Sequence, residues 1–160
     1  MSGERQATGD ELQGWIDRSA IGELVVRASD AVTRGDWDAF EAVWARDGVW
    51  EESEPMADRL ETPRGIRDAI AERTATVELF VQTVHDTVVT LIDDDHARAT
   101  STIKGLARVD GQGFVNYGVY YDELVRTAEG WRFAHRYLQN VYVDSAPLGG
   151  TAAIARADLR

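Results

Sequence analysis

The spacing of hydrophobic residues changes along the chain, from a repeat of three to four residues near the beginning to alternation in the second half. The first pattern is typical of amphipathic helices, and the second of strands with one buried face. Helices are predicted at about 19–34 and 37–45, and from Thr62–Pro63 to about residue 73. Strands are predicted at about 49–52, 79–92, 96–109, 114–126 and 131–143, with a polar loop over 53–61.

The predicted order is α-α-β-α-β-β-β-β, with helices first and then a meander of long antiparallel strands, which indicates an α+β protein. Residues 1–12 are polar and are expected to form a flexible N-terminal tail. Residues 147–160 are expected to form a flexible C-terminal tail, which leaves 13–146 as a single domain.

Composition restricts the possible partners. The chain has 160 residues, 44% of them hydrophobic, which is enough for a core with an internal pocket. Seventeen basic and twenty-eight acidic residues give a net charge of −11, so neither nucleic acid nor an anionic membrane is expected as a partner. The N-terminal sequence lacks the apolar core of a signal peptide, and a cytoplasmic location is expected.

The same inventory limits the chemistry. The chain has no cysteine, and its three histidines lie far apart in sequence, so no metal site is predicted. There is no glycine-rich phosphate loop in the sequence, and no cofactor is predicted. Any catalysis is therefore expected to depend on ordinary acid–base side chains.

His85 is the leading candidate for that role. In FVQTVHDTVVTLI it falls on the more apolar of the two alternating rows, so its imidazole is expected to point inward. Because its ordinary pKa is near neutrality, an inward histidine is a natural proton carrier. The alternative is a hydrogen-bonded histidine of the core.

Three carboxylates are further candidates. Glu52 shares a strand face with Trp50, although the acidic run 51–54 is equally typical of a solvated edge. Asp30 lies on the first helix, away from its apolar stripe, and Asp122 is a third and weaker candidate.

Four stretches, taken in order and spacing, carry a family resemblance: 34–40 (RGDWDAF), 48–50 (GVW), 83–86 (TVHD) and 129–136 (EGWRFAHR). Over residues 15–143 the chain resembles the SnoaL-like group of the NTF2-like superfamily, which includes dehydratases and polyketide cyclases. The resemblance implies a cone in which three N-terminal helices pack on a strongly curved antiparallel sheet. It also implies a homodimer.

The resemblance implies chemistry as well. Dehydratases of this group pair a histidine with an aspartate of the first long helix; His85 matches the histidine, whereas Thr33 stands where the aspartate is expected. The leading expectation is a cofactor-independent dehydratase, isomerase or cyclase acting on a small apolar molecule. The alternatives are an epoxide-opening enzyme that uses a pocket carboxylate, and a non-catalytic ligand-binding or dimerising module.

The pocket walls are predicted from alternation. Small inward residues of strand 96–109, with Ser101 and Ile103 among them, either leave room for a ligand or accommodate the third helix. In strand 114–126 periodicity favours the opposite face as core, whereas the resemblance favours Tyr120 as a pocket residue. His135 shares a predicted face with Trp131, and is either a pocket residue or a packed structural histidine.

Overall fold

The computed structural model describes residues 8–150. Within that range it contains three helices and six strands: α1 (Gly9–Arg34), α2 (Trp37–Ala42), β1 (Trp44–Glu52), β2 (Arg59–Glu61), α3 (Pro63–Thr74), β3 (Leu79–Leu91), β4 (His96–Val109), β5 (Gln112–Thr127) and β6 (Gly130–Pro147). The short strand β2 lies in the segment predicted as a loop, so the order is α-α-β-β-α-β-β-β-β. The C-terminal tail predicted from residue 147 lies mostly outside the described residues.

Helix α1 begins earlier than predicted because its first turn has its own cap. The Thr8 hydroxyl accepts a hydrogen bond from the Glu11 amide, and the Glu11 carboxylate accepts one from the Thr8 amide. This capping box compensates amides that otherwise lack partners, so the polar segment before residue 12 is helical from Gly9. The predicted start of α3 is confirmed: Thr62 caps it and Pro63 is its first residue.

The strands form one sheet in the order β2-β1-β6-β5-β4-β3. Strands β3 to β6 form the predicted antiparallel meander. Strand β1, however, pairs in parallel with β6, so the expectation of an antiparallel sheet throughout is wrong. The sheet is curled and open, in agreement with an NTF2-like cone.

Bulges interrupt the alternation of two strands. Strand β3 has one extra residue, His85, between the paired positions Val84 and Asp86. Strand β6 has two, Ala134 and Val141, opposite continuous stretches of β5. Each extra residue bends its strand and reverses which alternate positions face the core.

The concave face of the sheet packs against α1 and α3. Ile21 and Val25 of α1, Ile66 of α3, and Ile103 and Phe133 of the sheet are all fully buried. The core is continuous around these five residues, whereas a cavity remains elsewhere inside the curled sheet. Among residues 8–150, no helix combines the length and apolar character needed to cross a bilayer.

Candidate active site

A cavity of about 370 Å³ lies inside the curled sheet. Its walls are mainly apolar and are provided by all three helices, β1, the loop between β1 and β2, and the inner faces of β3 to β6. The polar lining residues are Glu52, Arg73, Thr74, Gln82, Asn116, Tyr120, Arg136 and Asn140. A mostly apolar cavity with a few convergent polar groups is the usual form of a small-molecule site.

Glu52 lies on the cavity wall, and its side chain is only 9% exposed. Its carboxylate accepts a hydrogen bond from Asn140 Nδ2 at 3.1 Å and one from Arg73 Nη1 at 3.3 Å. Asn140 in turn accepts a hydrogen bond from Asn116 at 2.9 Å, and Arg73 also pairs with Asp58. These contacts fix the carboxylate while using only part of its acceptor capacity, since a carboxylate has about four lone-pair sites.

Gln82 connects the first helix to the cavity. Its Oε1 accepts a hydrogen bond from Ser29 Oγ at 3.0 Å, and its backbone amide donates to Thr33 Oγ1 at 3.0 Å. Its Nε2 donates to the Tyr120 hydroxyl at 3.1 Å. At the junction of α1 and β3 the structure therefore has a neutral serine–glutamine pair rather than an aspartate–histidine pair.

Tyr120 is fully buried, and its hydroxyl accepts a bond from Gln82 Nε2 at 3.1 Å, while its own proton has only a long contact of 3.5 Å with Gln82 Oε1 and can turn to a ligand. Burial raises the pKa of Tyr120 to about 12, even though the Arg136 charge opposes that rise. The negative charge of Glu52 adds to the increase, so the two groups interact electrostatically across the site. At neutral pH Tyr120 is a hydrogen-bond donor, not a base.

Arg136 is a buried cation on the same wall. Its Nε and Nη2 donate to the two oxygens of Asp122 at 2.7 and 2.8 Å, and its guanidinium lies over the rings of Tyr120 and Phe133. Burial alone would lower the pKa of Arg136, but the Asp122 carboxylate holds it above its ordinary value. A guanidinium has five N–H donors, so Nη1 remains after Asp122 is satisfied, and Arg136 lines the cavity.

The expected inward position of His85 is wrong. His85 is the bulged residue of β3, and it is exposed to solvent. Before the bulge Phe80 and Gln82 line the cavity, and after it Thr87 and Val89 face the core. The predicted apolar row therefore combines residues that face outward before the bulge with residues that face inward after it.

Several other predicted residues also lie away from the cavity. Thr33 is occupied by the Gln82 amide, and Asp30 pairs with Arg34 at 2.6 Å on the half-exposed side of α1. His135 lies on the outer side of the sheet, because the bulge at Ala134 reverses β6. Its Nε2 bonds Glu51 at 2.7 Å, and this contact is the largest cause of the lowered pKa of Glu51.

Two predicted wall residues of β4 belong to the core instead. The Ser101 hydroxyl bonds that of Thr87 at 3.1 Å, and Ile103 is fully buried beneath the helices. Neither residue lines the cavity, whereas Gly105 and Ala107 of the same small inward row do. Asp122 is buried in its pair with Arg136 and is not among the cavity-lining residues.

Glu52, Trp50 and Tyr120 do line the cavity, and their roles remain predictions. For strand 114–126 the sequence left open which face lines the cavity. In the structure Tyr120 and Asp122 face inward, and the more apolar row with Tyr121 faces outward. Alternation alone failed here because β5 buries polar side chains that have partners.

Sequence reasoning missed six polar residues of the site: Arg73, Thr74, Gln82, Asn116, Arg136 and Asn140. Gln82 was detectable as the polar member of the other row of β3. Arg136 and Asn140 follow the Ala134 bulge, and their inward positions depend on it. Arg73 acts from the end of α3, and its contacts with Glu52 and Asp58 depend on tertiary structure.

Known structures share this fold. A hexachlorocyclohexane dehydrochlorinase (LinA) of type 2 superposes with a TM-score of 0.79 at 16% identity, over 89% of this chain and 97% of that one. A candidate aromatic ring hydroxylase from Novosphingobium aromaticivorans gives 0.76 at 24% identity, over 82% and 94%. A candidate scytalone dehydratase from the same organism gives 0.75 at 12% identity, over 91% and 95%.

The TM-scores show that these proteins share the fold, and at such low identities the likeness shows nothing beyond the fold. No curated protein matches the sequence significantly. The SnoaL-like domain family matches residues 15–137, which is most of the chain and includes β1 to β5 and the first part of β6. The chain therefore belongs to the SnoaL-like domain family.

Proposed function

We propose that the protein is a cofactor-independent acid–base enzyme of the lyase, isomerase or cyclase type, acting on a small, largely apolar molecule with a carbonyl oxygen. In this proposal Glu52 is the proton carrier, in place of the solvent-exposed His85. The observation that carries it is a fixed, nearly buried carboxylate on the wall of an apolar cavity.

Glu52 has the surroundings of a general base. Asn140 and Arg73 orient its two oxygens, so a C–H bond of a bound molecule would meet a carboxylate of defined position. Exclusion of water strengthens electrostatic interactions inside such a cavity, and a positioned base contributes about 10²- to 10⁴-fold to a proton-transfer rate. Arg73 is shared between Glu52 and Asp58, so it compensates the Glu52 charge only in part.

Tyr120 and Arg136 supply the other half of the reaction. When Glu52 takes a proton from the carbon next to a carbonyl group, the C–H electron pair forms a carbon–carbon double bond and the carbonyl π pair moves to the oxygen. The Tyr120 hydroxyl and the remaining Arg136 N–H groups can donate hydrogen bonds to that oxygen. Return of the proton to another carbon completes an isomerisation, and loss of a leaving group from the neighbouring carbon completes an elimination.

The test is exchange of the α-protons of 2-octanone with deuterated water, followed by NMR. The wild type should catalyse exchange, and Glu52→Gln should lower the rate at least about 100-fold, the lower limit for loss of a general base. The matched control is Glu51→Gln, which removes the same charge from the neighbouring residue. Glu51 does not line the cavity, and its carboxylate contacts His135 and Arg59. Exchange by the wild type at the buffer rate, or equal rates for wild type and Glu52→Gln, would contradict the proposal.

A non-catalytic ligand-binding module is the second candidate. The neutral Ser29–Gln82 pair favours it, because the resemblance implies a charged aspartate–histidine pair at that junction. A binding module would take up 2-octanone, as measured by calorimetry, without catalysing exchange.

A further inference from the structure

The opening of the cavity is apolar. Three large side chains line the cavity and are also substantially exposed: Met56 at 58%, Phe114 at 43% and Val143 at 46%. A residue that meets both conditions lies where the cavity reaches the surface. We call Met56, Phe114 and Val143 the rim.

The rim comes from three separate parts of the chain. Met56 lies in the loop between β1 and β2, Phe114 at the start of β5 and Val143 toward the end of β6. Val143 pairs directly with Asn116, and Phe114 lies two residues before Asn116 on the same face of β5. The rim therefore continues the cavity wall that holds the Asn116–Asn140–Glu52 contacts.

The distances along this wall exceed what a compact ligand needs. From Tyr120 to Phe114 the strand advances six residues, or about 20 Å at the usual rise of a strand. A cavity of about 370 Å³ lies near the lower end of the range for small-molecule sites, so a ligand that spans this wall has to be narrow and extended. A larger ligand that bonds to Tyr120 has to extend past the rim.

We infer that the ligand is an elongated amphipathic molecule, with a carbonyl oxygen at Tyr120 and Arg136 and an unbranched apolar body that leaves the cavity across the rim. This inference rests on the proposed function for the position of the carbonyl group. Clustered exposed apolar side chains commonly mark ligand-binding grooves. A chain lying across the rim would remove Met56, Phe114 and Val143 from water, which a compact ligand would not do.

The experiment measures binding of 2-alkanones from six to about sixteen carbons by calorimetry on the full-length protein. Affinity should keep rising up to about sixteen carbons, the length at which an extended chain covers the roughly 20 Å from Tyr120 to Phe114, by up to about fourfold per methylene. The double variant Phe114→Ser/Val143→Thr should lose the last part of this rise and keep the affinity for the shorter ketones. The matched control, Tyr117→Ser/Val141→Thr, changes two exposed residues of the same strands that do not line the cavity, and should behave like the wild type.

Three outcomes would overturn the inference: no ketone binds, wild-type affinity levels off before the chain is long enough to reach Phe114, or both double variants lose the same affinity. Light scattering is run in parallel. A dimer that dissociates only in the Phe114/Val143 variant would assign the rim to a second copy and would also overturn it. Calorimetry measures binding without turnover. The dependence of affinity on chain length can therefore be interpreted even if Glu52 does not catalyse exchange.

Discussion

Replacing Asp122 by Asn removes one charge from a pair that lies entirely inside the protein. The side chains of Arg136 and Asp122 are 1% and 0% exposed, and two hydrogen bonds of 2.7 and 2.8 Å join them. The amide has nearly the shape of the carboxylate, so packing is preserved. What changes is that the Arg136 charge loses its compensating anion and one of its two acceptors.

Two routes give the size of the effect. Hydrogen bonds to charged groups contribute about 1.5 to 3 kcal/mol each, so the pair is worth about 3 to 6 kcal/mol. Removal of one partner of a buried ion pair typically costs about 3 to 5 kcal/mol. The free energy of unfolding of Asp122→Asn should therefore be lower by about 3 to 5 kcal/mol.

Urea denaturation followed by tryptophan fluorescence measures this difference. The control is Glu123→Gln, the same change on the next residue, whose partner Arg98 is 3.5 Å away on the exposed face; it should cost about 0.5 kcal/mol or less. The double variant Asp122→Leu/Arg136→Met should recover much of the loss, because it leaves no unpaired charge. A loss below 1 kcal/mol for Asp122→Asn would refute the reasoning that the Arg136 charge depends on this single anion.

Further predictions concern Tyr120 and two glycines. Because the pKa of Tyr120 is raised from 10.0 to about 12, its proton stabilises the fold fully below pH 10, and that contribution is lost as pH rises toward 12. Wild type should thus lose about 2 to 3 kcal/mol more than Tyr120→Phe between pH 10 and pH 12 in urea titrations, and parallel curves would contradict the assignment. Gly118→Ala should lower stability by about 1 to 3 kcal/mol, because the new Cβ would lie 2.8 Å from both the Gln139 carbonyl oxygen and Leu138 Cδ1. Gly22→Ala has nothing within 4 Å on α1 and should raise stability by about 0.5 to 1 kcal/mol; equal effects of the two changes in thermal melts would show that local space does not govern them.

Sequence patterns predicted the elements well where local signals decide them. The Thr62–Pro63 start of α3 and the bounds of β4, which follows the acidic turn at 93–95, agree with the structure. In such places residues that are close together in the sequence determine the cap, the turn and the alternation. Family resemblance added what composition could not, since it placed Tyr120 in the pocket against the apolar pattern of its strand.

The site itself was predicted only in part, and the bulges explain why. His85 and Ala134 each add one residue to a strand, and every position beyond them changes face. A period-two reading has no means of detecting an inserted residue, so His85 and His135 were both assigned to the interior. Glu52 and Trp50 were placed correctly because they lie at the end of β1, after the register of that strand is settled at Val49.

The parallel pairing of β1 with β6 has a consequence for biosynthesis. Contacts such as that between Glu51 and His135 join residues 84 positions apart, and they cannot form until β6 has left the ribosome. Until then β1 and β2 are a two-stranded hairpin, which is only marginally stable in water. The cavity wall that carries Glu52 is thus completed last during synthesis, and a nascent chain without β6 cannot yet enclose a ligand.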